Sequence, residues 1–109
     1  MAQFELCKID EIATGEKKRF MVEGKAIMLA NVVGNFFATD DTCTHARASL
    51  TAGCLRGYEI ECSWHGARFD IRSGEVKVLP AVIPLKTYPV EVRDEAVFIT
   101  LKSGLIRKF

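Results

Sequence analysis

The chain has 109 residues and a formal charge of +1, from 15 lysines and arginines against 14 aspartates and glutamates mixed along its length. A chain of this size buries roughly two thirds of its unfolded surface, enough for one complete domain over residues 1–109. The balanced charge leaves no electrostatic footprint for nucleic acid, and the longest apolar run, 26–30, falls well short of the roughly 20 residues of a membrane span.

The dominant period is two, the strand signature, with β-branched and aromatic residues between Gly, Asn and Asp punctuation. In chain order the pattern predicts strands over 3–7, 18–22, 26–32, 35–39, 59–61, 67–70, 86–92 and 97–102. One helical turn is expected over 8–13, ended by Gly15, and turns are expected at 24, 33–35, 72–74 and 93–95. Strands recurring at this spacing predict an all-β fold, an antiparallel sandwich or barrel. The N-terminus lacks a basic segment followed by an apolar one, so no secretory leader is expected. Four cysteines in a leaderless chain suit a reducing cytoplasm, where thiolates serve metals rather than disulfides.

The two histidines each sit beside a cysteine, in Cys43-Thr44-His45 and Cys62-Ser63-Trp64-His65, with sixteen residues between His45 and Cys62. That makes one complete four-ligand set of two thiolates and two imidazoles. Cys7 and Cys54 are left over. Cys7 alternates with apolar neighbours in a strand pattern and is expected to pack as a small apolar side chain, whereas Cys54, in the spacer, is expected to be a free thiol. Asp40 and Asp41 read as turn-capping residues.

These halves resemble the Rieske family, C-x-H followed by C-x-x-H, where they hold one 2Fe-2S cluster. The second loop, Cys62-Ser63-Trp64-His65-Gly66-Ala67-Arg68-Phe69-Asp70, follows the family's C-x-x-H-G-x-x-F-D pattern. The first, Asp41-Thr42-Cys43-Thr44-His45-Ala46-Arg47, reads as D-x-C-T-H with Ala46 where many members have glycine. The resemblance is specific from 35 to 84 and implies a fold of small antiparallel sheets carrying a cluster-binding subdomain of two loops. It implies Cys43, His45, Cys62 and His65 as the cluster ligands, the imidazoles toward the surface as the electron's exit, and segment 79–84 as the proline-containing cover of the cluster. Trp64 and Arg47 stand beside the ligands as candidates for a docking surface, Trp64 equally as a packing lid.

Cys₂His₂ is also a tetrahedral zinc set, but zinc fingers pair their cysteines together and their histidines together. Here each half holds one of each, as a cluster with one Cys₂ iron and one His₂ iron needs.

Departures from the family pattern narrow the function. The respiratory branch has an extra cysteine in each loop, forming a disulfide; here Ala48 and Trp64 stand at those positions. It also has a serine and a tyrosine that hydrogen-bond the cluster sulfurs, where this chain has Ala67 and Phe69. Losing those donors predicts a potential in the lower part of the roughly −150 to +300 mV Rieske window. A terminal oxygenase would need a further iron site of two histidines and a carboxylate, and no histidine remains to build it. The resemblance therefore implies not an enzyme but a monomeric, cytoplasmic ferredoxin, the component of a ring-hydroxylating dioxygenase system that passes electrons from a flavin-dependent reductase to the oxygenase in transient encounters. Alternatives are the small Rieske subunit of a nitrite reductase, a carrier in another redox pathway, or a redox-sensing module, for which no output surface is seen.

Overall fold

A computed structural model of the chain describes residues 2–44, 47–64, 66–79, 81 and 83–101. Among the described residues, eleven strands form three antiparallel sheets. Strand β1 (Ala2–Lys8) pairs with β11 (Ala96–Leu101), which pairs with β10 (Val90–Arg93). The second sheet runs β2 (Lys17–Val22), β3 (Lys25–Val32), β4 (Asn35–Asp40) and β9 (Thr87–Tyr88). The third, β5 (Cys54–Arg56), β6 (Glu59–Glu61), β7 (Arg68–Asp70) and β8 (Val76–Val78), lies between and after the two cysteine-histidine loops. Short 3-10 turns cover Ile9–Glu11 and Leu50–Ala52.

The tight hairpins follow from local chemistry. Glu23-Gly24, Val33-Gly34 and Asp94-Glu95 each have positive φ at both central positions, the type I′ geometry whose twist matches that of the flanking strands. Gly74 has a stricter reason to be glycine: at φ +82° a Cβ there would lie 1.9 Å from the Leu85 carbonyl oxygen.

Strand β3 organises the interior. Side chains alternate across a strand, and β3 is buried on both faces. Met28, Ala30 and Val32 point into one core, with Leu50, Ile60, Phe69, Ile71 and Leu85. Ile27 and Leu29 point into a second, with Ile12, Ala38, Tyr88, Val97 and Ile99. The second core joins the first and second sheets, and the first core joins β3 to the third sheet. Cys43 and Cys62 belong to the first core.

The expected all-β class and antiparallel pairing are borne out, as is the turn after β1. The expected single strand over 86–92 is corrected: it is divided at Pro89 into β9 and β10, which belong to different sheets. Proline has no N–H for a ladder bond and tends to mark such breaks. Strands β5 and β8, three residues each, are absent from the sequence pattern.

Candidate metal centre

Two hairpin connections present the cysteines. Cys43 follows β4, and its N–H donates to the Ala48 carbonyl at 2.9 Å. Cys62 follows β6, and its N–H donates to the Ala67 carbonyl at 2.7 Å. Each cysteine thus opens a loop closed by a backbone bond to the residue five positions on. Below the first closure Thr42 bridges to Ser49; below the second Glu61 pairs with Arg68. Gly66, at φ +73°, makes the left-handed turn that returns the second loop toward β7, a conformation other residues adopt only at a cost.

The loops converge. Cys43 and Cys62 are 3% and 1% exposed, and their thiols interact directly. Burial pushes the Cys62 thiol above its ordinary pKa and the neighbouring Cys43 sulfur adds to this, while the Trp64 N–H, donating to Cys62 Sγ at 3.4 Å, opposes it. Two adjacent buried sulfurs resist becoming two thiolates unless a cation joins them. That donor chemistry fits a cationic iron centre, whose binding displaces the thiol protons. His45 and His65 lie outside the described residues, as do Ala46, Pro80 and Val82.

The surrounding residues divide into a buried base and an exposed rim. Ala67 and Phe69 are fully buried in the core that holds the cysteines, and Ala48 is buried beside them. Of the segment expected to cover the centre, Ala81 packs into this core, and the Ile83 carbonyl accepts a 2.7 Å hydrogen bond from the Thr44 hydroxyl. Arg47 is exposed, and Trp64, Leu79 and Ile83 are 56%, 69% and 59% exposed. Cys7 is buried in the other core and Cys54 is exposed, both as free thiols, as expected.

Sequence reasoning read Asp41 as a turn cap but missed its burial. Its carboxylate accepts the Thr51 N–H of the Leu50–Ala52 turn, is buried at 2% exposure, and also accepts from Ser49 Oγ and Thr51 Oγ1. Asp40 accepts a 2.5 Å bond from the Tyr88 hydroxyl. The D-x-C spacing was the available signal, but only the fold supplies the donors.

The Rieske 2Fe-2S domain profile matches residues 2–89. The chain belongs to the Rieske family. Among Rieske relatives, it is 47% identical over 96 residues to the p-cumate 2,3-dioxygenase system ferredoxin component of Pseudomonas putida, covering 86% of this chain and 81% of that protein. It is 40% identical over 105 residues to the biphenyl 2,3-dioxygenase ferredoxin component of Rhodococcus jostii (strain RHA1), covering 96% and 98%. Its Rieske fold superposes, with a TM-score of 0.85 and 34% identity, on a chain of the solved complex of reduced oxygenase and oxidized ferredoxin in carbazole 1,9a-dioxygenase, covering 89% of this chain and 91% of that one. The expectations of a Rieske ferredoxin, of one Rieske-type 2Fe-2S cluster, and of an electron carrier rather than a catalyst are borne out. Among the described residues no helix is long and apolar enough to cross a membrane.

Proposed function

We propose that this chain is the ferredoxin of a ring-hydroxylating dioxygenase system, taking one electron from a flavin-dependent reductase and passing it to a terminal oxygenase. The observation that carries the reading is the convergence of Cys43 and Cys62 from two equivalent loop closures into one core; the names of its relatives supply the system. Their ferredoxin-component names favour this over a nitrite reductase subunit.

Cys43 and Cys62 would hold one iron of the cluster, and His45 and His65 the other. When bound, such a cluster supplies one-electron redox chemistry, with a potential raised by imidazole ligation. The chain's own residues do the rest. The Trp64 N–H directs a hydrogen bond at the Cys62 sulfur, one lever on the potential. The apolar base of Phe69, Ile60 and Leu50 keeps water from the sulfurs. Trp64, Leu79 and Ile83 offer partners an apolar rim that favours brief encounters.

We read the chain as one domain, a reading supported by β10 and β11, which lie beyond the matched span yet complete a sheet with β1. The carrier acts as a monomer in the cytoplasm, a compartment that suits four cysteines of which none forms a disulfide.

Iron and sulfide analysis with optical and electron paramagnetic resonance spectra tests the ligand set: His45→Ala and His65→Ala each abolish the cluster, because no spare imidazole exists. An intact cluster with an unchanged spectrum in His65→Ala overturns the assignment. Reduction by a flavin-dependent reductase and reoxidation by an oxygenase, followed by stopped flow, test the partners.

A further inference from the structure

Arg19 lies on β2, far from both loops in sequence, and its Nε stands 3.2 Å from Asp41 Oδ2. Asp41 is two residues before Cys43, and it gathers several pieces of chain. Its Oδ2 accepts from Ser49 Oγ at 2.6 Å and its Oδ1 from the Thr51 N–H at 2.9 Å. Thr51 Oγ1 also donates to Oδ1, and the Asp41 backbone carbonyl accepts the Leu50 N–H at 2.6 Å. A single carboxylate thus ties the start of the first loop to its return and to β2. Arg19 is the cation among the described residues that pairs with it. A buried carboxylate stripped of its cation is an uncompensated charge in a medium that screens poorly.

We propose that the Arg19–Asp41 ion pair tunes the redox centre. Asp41 is a positioning residue that fixes the base of the first loop, and Arg19 cancels its charge so that an arriving electron is not repelled. The inference rests on the reading of Cys43 as a ligand. Reduction adds one negative charge at the centre. With Arg19 removed, Asp41 stands as a bare anion and opposes reduction. With Asp41 neutralised, Arg19 stands as a bare cation and favours it. Arg19 is 51% exposed while Asp41 is 2% exposed, so solvent screens the arginine more. The buried charge therefore has the larger reach.

The test is voltammetry on the cluster-loaded full chain, comparing wild type, Arg19→Gln, Arg19→Lys, Asp41→Asn and the double variant Arg19→Gln with Asp41→Asn. Iron and sulfide content verifies loading. Arg19→Gln is expected to disfavour reduction about threefold, roughly 28 mV downward at 59 mV per tenfold. Asp41→Asn is expected to shift the potential upward, Arg19→Lys to stay near wild type, and the double variant to return toward it. Pairing that only held the loop would speed cluster loss in each variant without opposed potentials. Shifts of the same sign, or an unmoved potential in loaded Arg19→Gln, overturn the proposal. If Asp41→Asn does not load, Arg19→Gln against Arg19→Lys decides alone, because Arg19 is half exposed and its loss leaves the hydrogen bonds to Asp41 in place. A wild-type chain without a Rieske spectrum would instead defeat the ligand reading.

Discussion

The hydroxyl of Thr44, next to Cys43, donates to the carbonyl of Ile83 at 2.7 Å, thirty-nine residues away. It ties the first cysteine loop to the segment 79–84. A hydrogen bond of this kind contributes about 1 kcal/mol, so Thr44→Val should open the cover more often. Cluster bleaching in the presence of an iron chelator is expected to run several-fold faster in Thr44→Val than in wild type; equal rates would show that the cover is held by other contacts.

The unused thiols differ in access. Cys54 is exposed, whereas Cys7 is 5% exposed and burial, reinforced by Glu11, pushes its thiol above the usual cysteine value. A raised pKa means less thiolate at a given pH, and thiolate is the reactive form. A disulfide reagent at pH 8 should label Cys54 promptly and Cys7 only on unfolding, with the cluster spectrum intact. Rapid labelling that persists in Cys54→Ser would contradict this.

The fully buried Ala67 and Phe69 share a core with both cysteines, so hydroxyls added there meet the centre rather than solvent. Ala67→Ser with Phe69→Tyr should raise the reduction potential. One hydrogen bond of about 1 kcal/mol corresponds to about 40 mV for a one-electron couple. Voltammetry showing an unchanged or lower potential in a loaded variant would remove the explanation of a low-potential carrier by missing donors.

Arg72 makes a bidentate pair with Asp70, at 3.1 Å to Oδ1 and 2.9 Å to Oδ2, and its guanidinium lies 4.2 Å from the Tyr58 ring centre. The Arg72 hydrogen bond holds the Asp70 carboxyl below its ordinary value, against the opposing effect of burial. A depressed carboxyl pKa contributes stability that is present above the unfolded value, about 3.9, and lost as pH falls through the folded one. Arg72→Gln should therefore lower the urea midpoint at pH 7, with the difference narrowing toward pH 3. A gap that stays constant would assign the effect to the Tyr58 contact alone.

Val33 is β-branched, 79% exposed, and held at φ 53° in the β3–β4 hairpin. The left-handed region costs such a residue about 1–2 kcal/mol, and its side chain is mostly in solvent. Val33→Asn, giving the Asn-Gly pair that type I′ turns favour, is expected to stabilise the fold by about 1 kcal/mol in urea unfolding. A neutral or destabilising result would mean the valine packs where it is thought to be free.

What this sequence determined by itself is what short stretches can encode. Period-two alternation marks β1 through β4 and β11, and left-handed pairs such as Val33-Gly34 mark the hairpins, because both effects act between near neighbours. The Cys43-x-His45 and Cys62-x-x-His65 motifs are legible for the same reason: each places its ligands within one loop. Tertiary structure decided the rest. That β3 feeds two cores depends on which sheets close over its opposite faces, and the division of 86–92 at Pro89 became visible only once β9 and β10 found different partners. Asp41 was legible as a turn-capping residue, but its burial became visible only when folding brought Ser49, Thr51 and Arg19 around its carboxylate. A buried charge is tolerated only where distant donors converge on it, and no local pattern records that convergence.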